Sequence, residues 1–118
     1  KINGWFHYDR GYFYIRNVGN RLLLGGGRHL AIEAETSEAF EINPLIQRAL
    51  QDLLKETILP NQYVGIERWW TGILGGGDQK TPIIERISER QCAAIRLGGM
   101  GVAIGSLLGA QVAELAYG

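Results

Sequence analysis

Glycine is the feature that most limits what this chain can fold into. Much of it sits in three clusters, Gly25-Gly26-Gly27, Gly75-Gly76-Gly77 and Gly98-Gly99 with Gly101. Clustered glycine marks turns and close backbone approach, whereas a flexible linker disperses it among serines. The clusters therefore punctuate the chain and confine regular structure to the stretches between them.

Those stretches carry clear periodicities. Gly11-Tyr12-Phe13-Tyr14-Ile15-Arg16 is aromatic and β-branched, which predicts a strand. Asn17-Val18-Gly19-Asn20 supplies turn chemistry, and Arg21-Leu22-Leu23-Leu24 reads as the returning strand, buried on both faces. Residues 28–42 read mainly as loop. Asn43-Pro44 then offers a capping side chain followed by proline at the first helical position. Leu45, Ile46, Ala49, Leu50, Leu53, Leu54 and Ile58 recur at helical intervals, predicting an amphipathic helix over about 43–59 that stops near Pro60. Strands are expected at 65–74, at Ile83–Ile87 and at Cys92–Ile95, and a helix of small residues at about 102–116. The expected fold class is α+β, with an antiparallel or mixed sheet and these two helices.

Composition narrows the class of function. Twelve basic residues balance twelve acidic ones, so no electrostatic case exists for nucleic acid or anionic lipid. A single cysteine, Cys92, forms no internal disulfide and suits a reducing, cytoplasmic setting. His7 and His29 are far apart, and no Cys/His/Asp cluster has metal-ligand spacing, so no metal is expected. With 118 residues the chain is expected to form one domain. It begins at Lys1 without an initiator methionine or a leader, and is read as a fragment of a larger protein.

The stretch Leu97-Gly98-Gly99-Met100-Gly101-Val102-Ala103-Ile104-Gly105-Ser106 admits several readings. Gly101, Gly105 and Gly109 repeat the GxxxG spacing of membrane helices. The uncharged stretch from Leu97 to Leu108 is, however, shorter than the roughly 20 residues a span needs. A dinucleotide fingerprint matches imperfectly. Close packing of a helix on a sheet would also account for small residues at this spacing. A fourth reading is chemical: a glycine turn feeding a helix aims unpaired backbone N–H groups and a positive dipole end at whatever lies in front. Such a place suits an anion, or a group that becomes one.

Three segments, in order from Tyr12 to Gly109, resemble the C-terminal region of the D-amino-acid oxidase superfamily of FAD-dependent oxidoreductases, which includes glycine oxidase and D-amino-acid dehydrogenase. The hairpin Tyr12-Phe13-Tyr14-Ile15-Arg16 with Arg21-Leu22-Leu23-Leu24-Gly25 resembles the family's tyrosine-bearing strands. Arg68-Trp69-Trp70-Thr71-Gly72-Ile73-Leu74, with Asp78-Gln79-Lys80-Thr81-Pro82-Ile83-Ile84, resembles a second family motif, and Gly98-Gly99-Met100-Gly101-Val102 a third. The resemblance implies a partial flavoenzyme fold, a substrate-side sheet with a flavin-facing turn, whose FAD-binding N-terminal half lies elsewhere. It also implies oxidation of an amine or amino acid by hydride transfer to the flavin.

By that resemblance Gly98, Gly99, Met100, Gly101 and Val102 face the cofactor, and Tyr12 contacts substrate. Tyr14, expected on the same sheet face by alternation, is a second substrate residue. The arginines that bind a carboxylate in the family fall at Leu74 and Gly99 here, so neither is present. Arg96 is the nearest replacement, with Arg68 and Arg16 as weaker ones. One of Trp69 and Trp70 is expected in the core and the other is a candidate for the site wall; Cys92 is expected in the core. Taken alone, the 118 residues should bind FAD poorly, be inactive and self-associate through an exposed last helix. The rival reading is a non-catalytic α+β binding module without flavin.

Overall fold

Aromatic runs on either side of a tight turn open the fold. In the computed structural model, which describes residues 2–118, Trp5–Tyr8 forms β1, Phe13–Val18 β2 and Arg21–Gly26 β3. They make a three-stranded antiparallel sheet in the order β1-β2-β3. Ile83–Ser88 (β4) and Gln91–Ile95 (β5) pair as a separate antiparallel hairpin. Three helices complete an α+β fold: the single turn α1 (Ile32–Glu35), α2 (Pro44–Leu53) and α3 (Gly101–Tyr117). Backbone contacts divide the chain into two compact units, one ending at Gly72 and the other spanning Ile73–Gly118.

In the first unit, α2 starts as its sequence dictates. Asn43 has extended backbone and its side chain accepts a 3.0 Å bond from the Leu45 amide, with Pro44 at the first helical position. The Asn43 amide group also donates to Glu35, at 2.9 Å. The helix turns its apolar side to the sheet, where Leu50 and Leu53 meet Phe13 in the core. Leu24, Ile46, Ile58 and Trp69 pack around them. Burying each such side chain contributes about 1.5–3 kcal/mol. After Leu53 the helix widens into a π-helical stretch, Leu54–Ile58, and ends just before Pro60.

In the second unit α3 packs on β4 and β5. Leu108 is its one buried residue, and Ile104, Val112 and Leu115 are half-buried at three- and four-residue intervals beside it. That stripe is the packed face. The Arg86 guanidinium donates to the Leu115 carbonyl and so satisfies an orphan acceptor in the last turn.

Three expectations need correction. The tryptophan-rich segment 65–74 is irregular: it joins neither sheet, and strand propensity without a partner edge forms no ladder. Trp69 still packs on the core, whereas Trp70 is exposed. Leu22, Leu23 and Leu24 are half-buried, so β3 is not covered on both faces. Finally, Tyr12 lies in the turn before β2, where strand alternation does not govern its side chain.

Candidate functional site

The residues singled out by sequence fall into both units. Tyr12 and Tyr14 belong to the first, and Arg96 with the glycine turn belongs to the second.

Asp9 and Arg10 both adopt left-handed backbone, with φ of 47° and 54°, and the turn they make brings Tyr12 against β3. The Gly27 amide donates to the Tyr12 carbonyl at 2.9 Å. The Tyr12 ring stacks on His29 with centroids 4.0 Å apart, and His29 meets Phe13 edge-on at 5.3 Å. His29 Nε2 stands 3.5 Å from Asp9 Oδ2, an ion pair when the imidazole is protonated. Tyr12 is thus half taken up by an aromatic stack at the end of the sheet.

Tyr14 is placed differently. In the antiparallel register Trp5 faces Arg16, His7 faces Tyr14, Arg16 faces Leu23 and Tyr14 faces Gly25. Phe13 and Ile15 are buried on the core side. Trp5, His7, Tyr14, Arg16 and Leu23 therefore share the opposite, open face. A Cβ built at Gly25 would overlap the Tyr14 ring, so the phenol lies directly over that glycine. Sequence reading missed this face because β1 was not anticipated, although Trp5-Phe6-His7-Tyr8 is as β-prone as the strand that follows the turn.

The glycine turn of the second unit has the predicted form. Gly98 and Gly99 have φ of 58° and 82°, Arg96 before them has φ of 61°, and α3 begins at Gly101. Met100, the residue before the helix, caps no amide with its side chain. The Gly98 amide bonds the Gly75 carbonyl at 3.3 Å and the Met100 amide bonds the Leu97 carbonyl at 2.9 Å. Among the described residues the amides of Gly99, Gly101 and Val102 have no acceptor. A Cβ built at Gly98, Gly99, Gly105 or Gly109 meets nothing within 4 Å, so close packing on the sheet explains none of these glycines. From Gln91 to Ala113 there is no acidic residue. Three free donors and a positive dipole end suit a ring edge that gains negative charge. The turn fits the pyrimidine side of a flavin.

Arg96 braces this turn. Its Nε donates to the Thr81 carbonyl at 2.8 Å, and a Cβ at Gly77 would stand 3.0 Å from its Cδ. Its two Nη groups have no acceptor among the described residues. Arg68, the other arginine considered, is exposed in the irregular segment.

No group of His, Cys, Asp and Glu among the described residues could hold a metal ion. No helix among them is long and apolar enough to cross a membrane. Compared with known families, residues 2–115 match the model described as DAO, FAD dependent oxidoreductase. Neither the curated proteins nor the solved structures yield a match to this chain.

Proposed function

The chain belongs to the DAO family of FAD-dependent oxidoreductases, and from that premise we propose that it forms the flavin-facing and substrate-side part of an enzyme oxidising an amine or amino acid. The supporting observation is the opening of α3, where the amides of Gly99, Gly101 and Val102 lack acceptors. The chemistry that FAD would supply when bound is that of a hydride acceptor for the carbon bearing the amine. The chain's own residues bind and orient: the three amides would hold the pyrimidine edge, and Tyr12 and Tyr14 would contact the substrate. Arg96 keeps its Nη groups for an anion near the turn. A single half-buried Cys92 suits a reducing, cytoplasmic setting.

The ADP portion of the cofactor calls for a parallel βαβ unit with its own glycine turn, and both sheets here are antiparallel. We assign that task to a separate N-terminal half of the parent protein. The 118 residues alone should then bind FAD poorly and be inactive. Val102, Leu107 and Tyr117 are largely exposed along α3, so the isolated chain should self-associate, which sedimentation at rising concentration would register.

The decisive experiment expresses the complete coding sequence that contains these residues and records its visible spectrum. The expected result is a yellow protein whose flavin band bleaches when an amine or amino acid is added without oxygen. A colourless product, or a flavin band that no amine or amino acid bleaches, overturns the reading.

A further inference from the structure

An asparagine–glycine pair leads into β1, and one side chain holds its amide. Asn3 is exposed, and Gly4 follows it with φ of 133°, a conformation that only glycine adopts readily. The β1-β2 ladder ends at Trp5 opposite Arg16, one residue short of Gly4. The Gly4 amide donates instead to Oδ1 of Asn17, at 3.0 Å. Little else fastens this end of the sheet. All four residues of β1 are exposed, Trp5 to 76%, so little apolar burial resists local opening.

The chain has five asparagines, and the other four are poorly placed to react through the next amide. Asn43 precedes Pro44, which has no N–H. Its own side chain is also bound, to the Leu45 amide and to Glu35. Asn17 precedes Val18, Asn20 precedes Arg21 and Asn61 precedes Gln62. In each of these the following side chain crowds the nitrogen that would attack, as a glycine does not.

We propose that Asn3 is a modification site, where its side-chain amide becomes a carboxylate through a cyclic imide with Gly4, and that Asn17 is the latch restraining it. When the bond to Asn17 opens, solvent base takes the Gly4 amide proton and the nitrogen attacks Asn3 Cγ. The new N–Cγ bond closes the imide, and the Cγ–Nδ2 bond breaks with release of ammonia. Water then opens the ring. Cleavage of the N–Cγ bond gives aspartate. Cleavage at the Asn3 backbone carbonyl gives isoaspartate, in which the main chain runs through Cγ. No electrons are gained or lost, and water is the co-reactant. The formally neutral chain thereby gains a negative charge, and isoaspartate lengthens the backbone just ahead of β1.

The test incubates the 118-residue chain in mildly alkaline buffer and follows it by tryptic digestion and mass spectrometry. The peptide from Ile2 to Arg10 carries Asn3 and no other asparagine. It should gain the mass of amide-to-acid conversion before any other asparagine peptide, and separate into two products of equal mass. Asn3→Gln should abolish the change. Asn17→Ala should speed it about fivefold, the effect of one hydrogen bond lost from the attacking amide. Asn17→Asp keeps an acceptor and should not speed it, each variant being checked by circular dichroism. Earlier conversion at Asn17, Asn20 or Asn61 overturns the assignment. A folded Asn17→Ala variant that reacts no faster, or an Asn17→Asp variant that reacts as fast as Asn17→Ala, overturns the latch. Should Asn17→Ala not fold, hydrogen exchange of the native chain decides. The Gly4 amide should exchange well before those of the buried Leu50 and Leu53, and exchange at their rate overturns the local opening. None of these outcomes depends on flavin.

Discussion

The glycines at the end of β3 and those before α3 look alike in sequence and serve opposite ends. Gly26, with φ of 106°, is crowded: a Cβ there would collide with the Tyr12 carbonyl and come within 2.9 Å of the Phe13 Cα. Beside it, Gly25 lies under the Tyr14 ring. Here the missing side chain lets protein approach protein. Gly99, with φ of 82°, is surrounded by open space. There the missing side chain permits a left-handed turn and leaves the adjoining amides uncovered. Packing explains the first cluster; backbone handedness explains the left-handed glycines of the second.

Substitutions separate the two cases. Gly26→Ala meets both a backbone clash and a disfavoured φ, so it should cost about 3 kcal/mol or more. Urea denaturation of the chain would show this, and a loss below 1 kcal/mol would mean that the hairpin end is not crowded. Gly99→Ala meets only the φ penalty and should cost about 1–2 kcal/mol; in the complete protein it should also weaken flavin retention in gel filtration. If Gly99→Ala proves as damaging as Gly26→Ala in the flavin-free chain, the turn is packed and the contrast disappears. The Asn43→Ala change, which removes the cap of α2 without touching either cluster, should cost about 1 kcal/mol and calibrates the scale. The smallest effect has the opposite sign. Gly109 lies inside α3 on an exposed position with free space around it, so Gly109→Ala should stabilise the isolated chain by about 0.5–1 kcal/mol. If Gly109→Ala instead lowers the melting temperature of the chain, α3 packs on that side as well.

Much of the fold was legible because its signals are local. Asn43-Pro44 and the apolar periodicity after it placed α2, and the glycine turn placed the start of α3. The hairpin of β2 and β3 followed from its turn residues. Where the reading failed, the outcome depended on partners. Segment 65–74 has the residues of a strand and no edge to pair with, whereas Trp5–Tyr8 pairs fully with β2 through a turn that needs two non-glycine residues at positive φ. The site divides in the same way. The glycine turn is a local signal and was legible in sequence, whereas nothing in the order of residues shows that Trp5, eleven positions earlier, lies across the ladder from Arg16.

By itself the sequence determined the α+β class, the helix on Asn43, the glycine turn and membership of a flavin-dependent family, all of which rest on spacing within a few residues or on motif order. Only tertiary structure decided which glycines are crowded and which are open, that Tyr12 stacks on His29 while Tyr14 lies over Gly25, and that Arg16 lies over the Trp5 ring. The physical reason is that strand pairing joins residues distant along the chain. Solvent exposure and unmet hydrogen bonds acquire meaning only once those neighbours are in place.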